Sequence, residues 1–452
     1  MTVNCTTARR HCTRLASLSL AVLILANHSF AADGLDRLAL EKLKQTHTVR
    51  ESLKKQIQAP PRQGPLKEYR ANLHVHSHLS HDSRGKIEEI VAAAKKAGTH
   101  ILLFTEHPAP HYDFFKQGHQ GLRDGVLLIP GAETAGLLAY PSESLGDFGN
   151  DTREVAALVR RKGGLAFLCH LEERMNLEVP GLTGVEIYNI HAIFKKQKRL
   201  LEALKNPLWI VQAAGRIREY PQEAYSAIHE YPADYLGRWD ELCQRAPHTG
   251  VTANDAHQNV GMRVQWAGGN SVVLQDALGK KIAQVSATLL KPFVPLPANP
   301  KEGDELFRVQ LDGYEYALRH AGTHLLMKDL TREEAWRALE KGQAFAGFDW
   351  IADTTGFDFH LQGKNGRVEM GDRVAWEKGL KLLGRAPLPG EWRVLRDGKV
   401  VHEGKGRALE IAILQPGVYR AEVWLEVAGE KMIWILSNPI YVKESRSGGG
   451  GI

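Results

Sequence analysis

Short apolar runs alternate with helical patterns along most of the chain, and this alternation constrains the fold more than any other feature. The run ANLHVHS is followed by the helical pattern IEEIVAAAKKAG, which leads to a second run, HILLFTEH. Further on, TREVAALVRRKGG leads in the same way to LAFLCHL. Strands that alternate with helices of this length are typical of βαβ units around a parallel sheet or barrel. We therefore predict an α/β fold.

Successive apolar runs end in residues that can bind a metal or carry out acid-base chemistry. These residues are Glu106, His107, Glu133, His170, Asn189, His191, Asp255 and His257. In a parallel α/β barrel the carboxyl ends of the strands form one rim, where active sites lie. One such residue is often a helix cap or a buried group with satisfied hydrogen bonds. A series of them on one rim indicates a metal site.

The first run belongs to the stretch NLHVHSHLSHDSRG, which is the richest in histidine. Side chains alternate along a strand, so His74 and His76 are predicted to point to the same face. Neighbouring imidazoles on one face can bind a single divalent cation such as Zn, Mn or Fe. Alone, such a pair is more often the polar face of an exposed strand. His81 and Asp82 follow in the loop that leaves the strand, at the predicted rim.

Taken in order, these motifs resemble those of the PHP (polymerase and histidinol phosphatase) superfamily of metal-dependent phosphoesterases. The matching segments are NLHVHSHLSHDS, FTEH, GAE, LCHL and NDAH, between about Tyr69 and Arg263. No single segment is specific, but their order is. The resemblance implies a distorted (β/α)7 barrel of PHP type that carries two or three divalent metal ions.

The resemblance also implies which residues bind the metals. One ion would be held by His74, His76, Glu133 and Asp255, with Glu133 bridging to a second ion at His170; a further position would lie among His81, His107 and His257. At the loop position we choose His81 and keep Asp82 in reserve. Relatives often supply another histidine shortly after Glu133, and TAGLLAYPSES has none. We therefore predict two firmly bound ions of Zn, Mn or Fe and a third that is weaker or absent.

A pair of cations suits hydrolysis, because it activates a water and clamps the oxygens of an in-line displacement. By resemblance we predict a hydrolase of a small-molecule phosphate mono- or diester. His191 is a candidate proton donor, and Arg174 and Arg263 are candidate phosphate contacts. Two alternatives stay open. One is a metallohydrolase of the same site that acts on an amide, a lactone or a phosphotriester; the other is a non-catalytic protein that binds a glycan or a cell surface.

The N-terminal segment has the parts of a secretory signal peptide. Arg9, Arg10 and Arg14 precede the apolar run LASLSLAVLILA, and SFA leads to a predicted cleavage after Ala31. The run is short for a membrane span, and an uncleaved anchor is the alternative. Loss of the segment lowers the formal net charge from +6 to +3, so we expect no nucleic-acid contact. The prediction is a periplasmic or secreted protein without a stable membrane span.

The last ninety or so residues have the pattern of antiparallel strands. Asp397 and Gly398 mark a hairpin between two strand-like runs, and GVYRAEVWLEV alternates with period two. The predicted regions are a signal peptide (1–31), a helical lead with a Pro-rich linker (32–66), the PHP-like barrel (67–355), a small antiparallel β-sandwich (356–443) and a disordered tail (444–452). Cys169 and Cys243 are predicted to be buried free thiols, and the tryptophans of the sandwich to be core.

Overall fold

The computed structural model describes residues 1, 33–59, 62–291 and 297–444. The predicted signal peptide, apart from Met1, and the predicted tail from residue 445 lie outside the described residues. The described residues from Asp33 onward form one compact unit. None of the helices in the described part of the chain has the length and apolar character needed to cross a membrane.

The helices have the following bounds: α1 (Gly34–Arg37), α2 (Leu40–Gln56), α3 (Ile87–Ala97), α4 (Phe114–Gln117), α5 (Thr152–Arg161), α6 (Leu171–Arg174), α7 (Ile190–Lys196), α8 (Lys198–Leu204), α9 (Pro207–Glu219), α10 (Pro221–Tyr225), α11 (Ala233–Arg245), α12 (Ala287–Leu290), α13 (Tyr314–His320) and α14 (Arg332–Lys341). A short 3₁₀ helix covers Ser226–Ile228.

The strands have the following bounds: β1 (Lys67–Val75), β2 (Ile101–Phe104), β3 (Gly121–Arg123), β4 (Val126–Ile129), β5 (Ala132–Thr134), β6 (Leu137–Tyr140), β7 (Leu165–Leu168), β8 (Gly184–Asn189), β9 (Thr249–Ala253), β10 (Gly261–Trp266), β11 (Ser271–Asp276), β12 (Lys281–Ser286), β13 (Glu305–Gln310), β14 (Gly322–Met327), β15 (Ala344–Gly347), β16 (Asp358–Gly363), β17 (Gly366–Glu369), β18 (Arg373–Ala375), β19 (Lys381–Arg396), β20 (Lys399–Ala412), β21 (Gly417–Val427), β22 (Glu430–Ser437) and β23 (Ile440–Lys443).

The first βα unit forms as its sequence pattern predicts. Helix α3 buries Ile87, Ile90, Val91 and Ala94, which recur on one helical face. The helix ends at Gly98, whose φ of +75° lies in the left-handed region where glycine avoids the steric cost of a side chain. Parallel pairing of β1 with β2 and of β2 with β4 follows, so their carboxyl ends lie at one edge.

The strands form three hydrogen-bonded sheets. The long sheet runs β17-β16-β19-β21-β22-β15-β14-β1-β2-β4-β3, with β18, β20 and β23 attached to it; the five-stranded sheet runs β5-β6-β7-β8-β9, and the four-stranded sheet β12-β11-β10-β13. Two isolated bridges, between Val75 and Ala256 and between Glu106 and Ala132, link the long sheet to the five-stranded sheet. Val75 is the last residue of β1, and Glu106 and Ala256 lie just beyond the carboxyl ends of β2 and β9. They bring the predicted rim residues of both sheets together.

The predicted α/β class is confirmed, and the finer architecture differs from the prediction. The described sheets do not close into a continuous hydrogen-bonded barrel, since they meet only at single bridges; the (β/α)7 count stays a prediction. The C-terminal strands are continuous with the long sheet, because β15 pairs with β22 from Phe345 to Gly347. A separate sandwich at 356–443 is therefore not apparent, and its boundary also stays a prediction.

The four-stranded sheet at Gly261–Gln310 is an element that the sequence patterns did not lead us to predict. Helix α9 packs against it in a cluster that includes Ile210, Ala214, Val264 and Leu274. The strands β10 and β11 do alternate in burial, with Met262 and Val264 inward. The periodicity is thus present in the sequence, and the packing against α9 explains which face is apolar.

Of two smaller predictions for the core, the one for the cysteines is confirmed, and the one for the tryptophans is confirmed for Trp392 and Trp434 only. Cys169 and Cys243 are free and buried. Among the C-terminal tryptophans, Trp392 and Trp434 are buried. Trp424 is half-buried, with the guanidinium carbon of Arg393 4.9 Å from its ring centre.

Candidate metal centre

The strand that carries the first histidines departs from regular geometry where they occur. The register between β1 and β2 shifts at His74, whose φ is +111°. His170 and Asp255, at the ends of two other strands, also have positive φ values of 49°. Such backbone conformations are costly for residues with side chains and concentrate at functional sites. Regular alternation along the strand is therefore not enough to explain why the side chains of His74 and His76 point to the same side. A local distortion of the strand at His74 contributes.

Four of the predicted ligands converge as one group. Nε2 of His74 lies 3.1 Å from Oδ1 of Asp255 and 3.2 Å from Oε2 of Glu133. Nε2 of His76 lies 3.4 Å from the same aspartate oxygen and 3.6 Å from the same glutamate oxygen. Two imidazole nitrogens and two carboxylate oxygens thus face one point, with all ligand atoms within 4.8 Å of one another.

The donor atoms of this group fit a cation better than they fit one another. Nε2 of His74, Nε2 of His76 and Oδ1 of Asp255 are buried and make no hydrogen bond within the described chain. Buried polar atoms almost always have a partner, so converging orphan atoms need an explanation. Imidazole and carboxylate together are a donor set that suits Zn, Mn or Fe. A divalent cation would satisfy all of these atoms at once.

His170 and the second oxygens of the carboxylates form an adjoining position. Nε2 of His170 lies 3.0 Å from Oε1 of Glu133 and 3.6 Å from Oδ2 of Asp255. Nδ1 of His191 lies 3.5 Å from the same Oδ2 atom. Glu133 and Asp255 therefore each direct one oxygen to the His74 pair and the other to His170. This arrangement can bridge two cations.

A further group gathers around Asp82. Its Oδ2 atom lies 3.3 Å from Nε2 of His107 and 3.2 Å from Nε2 of His257, and His76 completes the group. His81 is exposed, and its ring centre lies 5.1 Å from that of His107 without joining the group. Asp82, which we kept in reserve, thus belongs to this group, and His81, our first choice, lies outside it; which of the two binds an ion stays a prediction. The turn after β1 sets which of the two side chains faces inward.

Charge in the centre follows from burial and from the neighbouring groups. Burial, followed by the positive charge of His257, lowers the pKa of His76 to about 3, so its ring is neutral and can donate a lone pair. Burial opposes ionisation of Asp255, but the positive charge of the nearby His74 outweighs burial and holds the pKa of Asp255 well below its usual range. An ionised carboxylate among buried imidazoles favours a bound cation.

Glu186 is a supporting residue that the sequence analysis missed. It is completely buried, and its Oε1 atom lies 2.6 Å from Nδ1 of His74. Its Oε2 atom accepts hydrogen bonds from the backbone N–H of His170 at 2.9 Å and from Nδ2 of Asn189 at 3.1 Å. A carboxylate that holds the far nitrogen of a ligand histidine fixes its tautomer and orientation. The signal was available: GVEIYNI places one acid inside an otherwise apolar strand.

His170 has a carboxylate partner of its own. Nδ1 of His170 lies 3.2 Å from Glu172, which also accepts a hydrogen bond from the hydroxyl of Tyr235. Burial opposes protonation of His170, but its hydrogen bonds with Glu133 and Glu172 outweigh burial and raise its pKa to about 10. A cation at this position would have to displace that proton, so binding there should depend on pH.

Glu106 lies beside the centre in a different role. Its carboxylate accepts hydrogen bonds from the hydroxyls of Ser77 at 2.5 Å and Ser80 at 2.7 Å. The Ser80 hydroxyl in turn lies 3.1 Å from Nδ1 of His76 and accepts from the backbone N–H of His107. Glu106 therefore orders the loop that presents the ligands.

The predicted catalytic residues lie at different distances from this centre. His191 is one-third exposed and borders the centre through Asp255. Arg174 ends α6, pairs with Glu173 at 3.0 Å and packs against Gly136, close to Glu133 in sequence. Arg263 lies in β10 of the four-stranded sheet with its guanidinium against the turn at Gly279. Nothing in the described ranges connects Arg263 to the histidines.

An α/β fold with histidines and carboxylates gathered at the carboxyl ends of its strands defines a metal-binding protein. Comparison with family models narrows the class: residues 72–243 match the model described as the PHP domain. The chain therefore contains a PHP domain, and the predicted resemblance is confirmed. That segment includes Glu133 and His170, whereas Asp255 and His257 lie beyond its end.

The chain is also similar to a solved two-domain protein from Bacteroides vulgatus ATCC 8482, described as containing a predicted PHP-like metal-dependent phosphoesterase. The sequence identity is 13%, the TM-score is 0.35, and the match covers 84% of this chain and 98% of that chain. No curated protein matched the chain.

Proposed function

We propose that the protein is a metal-dependent hydrolase that cleaves a phosphate mono- or diester of small-molecule size. The observation that carries the proposal is the double use of Glu133 and Asp255, each with one oxygen toward His74 and the other toward His170. Bridging carboxylates are what a site for two neighbouring cations requires. The PHP domain supports metal-dependent phosphoester chemistry as the class of reaction.

The residues divide into holding, supporting and reacting roles. His74, His76, Glu133 and Asp255 would hold one ion, and His170 with the second carboxylate oxygens would hold the other. Such ions, when bound, supply Lewis acidity and an activated water. Glu186 and Glu172 keep two of the imidazoles oriented. Asp82, His107 and His257 form the weaker third position.

The remaining residues would handle the proton and the phosphate. His191 is partly exposed and lies 3.5 Å from Asp255, so it can reach a leaving oxygen held at the centre. Arg174 packs beside the Gly136 turn and is the arginine better placed for a phosphate oxygen. Arg263 lies farther along the four-stranded sheet and remains a weaker candidate.

Metal content tests the first half of the proposal. Elemental analysis of protein purified without chelator should find at least two equivalents of Zn, Mn or Fe per chain. His74→Ala should lower this number, because it removes a nitrogen from the first group. The matched control His402→Ala, in β20, should leave it unchanged. Less than one equivalent in the unaltered protein would favour the non-catalytic alternative.

Turnover tests the second half. The metal-loaded protein should hydrolyse p-nitrophenyl phosphate or bis-p-nitrophenyl phosphate, and His74→Ala should not. Panels of amides, lactones and phosphotriesters serve as the comparison. Activity on one of these panels together with silence on both phosphates would mean that the same centre acts on another bond.

A further inference from the structure

An apolar cavity opens beside the metal centre. The empty space within it, part of which is open to solvent, is about 750 Å³, and it lies between α7, α8 and α9 on one side and the carboxyl end of β9 on the other. Its wall includes Ile190, Phe194, Leu204, Trp209 and Ile217. Two of these helices, α8 and α9, precede the four-stranded sheet, and α9 packs on it, so this part of the fold forms one wall of the cavity.

Two polar residues of the cavity wall mark the end that meets the metal centre. His191 and Asp255 belong both to the cavity wall and to one of the metal-competent groups. A molecule in the cavity would therefore have one end at the cations and the rest against hydrocarbon. Ligand sites of this kind, mostly apolar with a few convergent polar groups, bind molecules of drug-like size.

The charges in the cavity wall limit which charged groups the part of the ligand inside the cavity can bear. No lysine or arginine is found among the described residues that line the cavity. Asp312, also in the wall, has its carboxylate satisfied by the backbone N–H groups of Asn259 at 2.8 Å and Val260 at 3.1 Å. A second phosphate or carboxylate on the ligand would thus face acids and hydrocarbon without a cation. This composition counts against nucleotides and other multiply charged esters.

We propose that the substrate is an ester whose organic group is uncharged and apolar, an alkyl or aryl chain that fills this cavity while the phosphate lies at the metal centre. The inference rests on the proposed function for the identity of the reacting group. The cavity determines the chemical class of the organic group of the substrate, and α7, α8 and α9 determine the specificity for it.

The proposal predicts a graded affinity for apolar chains. Burial of one methylene gives roughly a fourfold gain in binding. Affinity of the metal-loaded protein for methyl-, butyl-, hexyl- and phenylphosphonate, measured by calorimetry, should therefore rise steeply with the size of the group until the cavity is full. Neohexyl phosphonate should bind more tightly than the isosteric trimethylammonioethyl phosphonate, because most of the wall is hydrocarbon, the Asp312 carboxylate is already engaged by backbone N–H groups, and the cation would lose its hydration.

Two variants test whether the alkyl chain of the ligand binds in the cavity. Ala224→Phe narrows the cavity from α10 and should abolish the dependence on chain length while methylphosphonate binding and metal content stay the same. Phe194→Ala enlarges it from α7 and should shift the preference to longer chains. Gly215→Phe is the matched control, because Gly215 is exposed on α9 and a Cβ added there meets no atom within 4 Å; the affinities of this variant should equal those of the unaltered protein.

A parallel series of alkyl hydroxamates separates this inference from the proposed function. Hydroxamates that bind with chain-length dependence, when the phosphonates do not bind at all, would overturn the phosphate assignment and support the cavity. Phosphonates that bind equally at every chain length would support the phosphate assignment and overturn the cavity. Absence of a dependence on alkyl length in both series would also overturn the cavity assignment; this result is expected if another part of the protein fills the cavity. Preferred binding of the trimethylammonio compound would overturn the assignment as well.

Discussion

His324 gives the sharpest prediction about stability. It is completely buried in β14, with Nδ1 2.5 Å from Oε1 of Glu68 and Nε2 2.9 Å from Oδ2 of Asp349. Both ring nitrogens thus face carboxylates, which only the doubly protonated ring can satisfy. Burial opposes this charge, but Asp349 and then Glu68 outweigh it and raise the pKa of His324 to about 9.

The sign and size of the effect follow from this shift. In the unfolded chain the histidine has a pKa of about 6.5. The folded value is higher, so the stabilisation is fully present below about pH 6.5 and is lost as the pH rises through about 9. A difference of about 2.5 units corresponds to about 3 kcal/mol in the free energy of unfolding.

Urea unfolding at a series of pH values from 6 to 10 would measure this pH-dependent stabilisation, with His324→Asn as the reference. The difference in unfolding free energy between the two proteins should shrink by about 3 kcal/mol across this range. Other titrating groups contribute equally to both proteins and cancel. If the two stability curves run parallel, the ring is neutral in the folded protein and the reasoning is refuted.

Three further predictions concern the centre and the N-terminus. Glu186→Gln should weaken metal binding by roughly 10- to 100-fold in a chelator competition, because the His74 ring loses its carboxylate partner. The control Glu154→Gln, at an exposed position, should not weaken it. Equal metal affinities of the two variants would contradict the positioning role of Glu186. Asp82→Asn should lower occupancy of the third position while His81→Asn leaves it unchanged, with elemental analysis as the measurement; the opposite result would restore His81. Mass spectrometry of the exported protein should find Ala32 at its N-terminus, and an intact Met1 would favour the anchor.

The parts of the centre that are predictable from sequence are those set by local pattern. Each apolar run of a parallel strand ends at the same edge, so the sequence alone is enough to place Glu133, His170, Asp255 and His257 together. The motif order adds the pairing of roles. The sequence pattern thus predicts at which edge of the sheet the centre lies and which residues are found there.

The other features depend on contacts distant in sequence. The choice of Asp82 over His81 rests on how a loop packs between His107 and His257. Glu186 was missed because an acid inside an apolar strand gains its meaning only from His74, on another strand. The C-terminal strands alternate as an independent sandwich would, and nothing local reveals that β22 pairs with β15.

That last pairing makes the C-terminal strands a cover for the edge of the metal-bearing half. Asn438, just after β22, accepts a hydrogen bond from the backbone N–H of Gly250 at 2.8 Å and donates one to its carbonyl at 3.0 Å, within the strand that leads to Asp255. A chain ending near residue 355 would leave this backbone and the edge of β15 without partners. Bare strand edges recruit other chains. We therefore expect a chain truncated near residue 355 to self-associate through this edge.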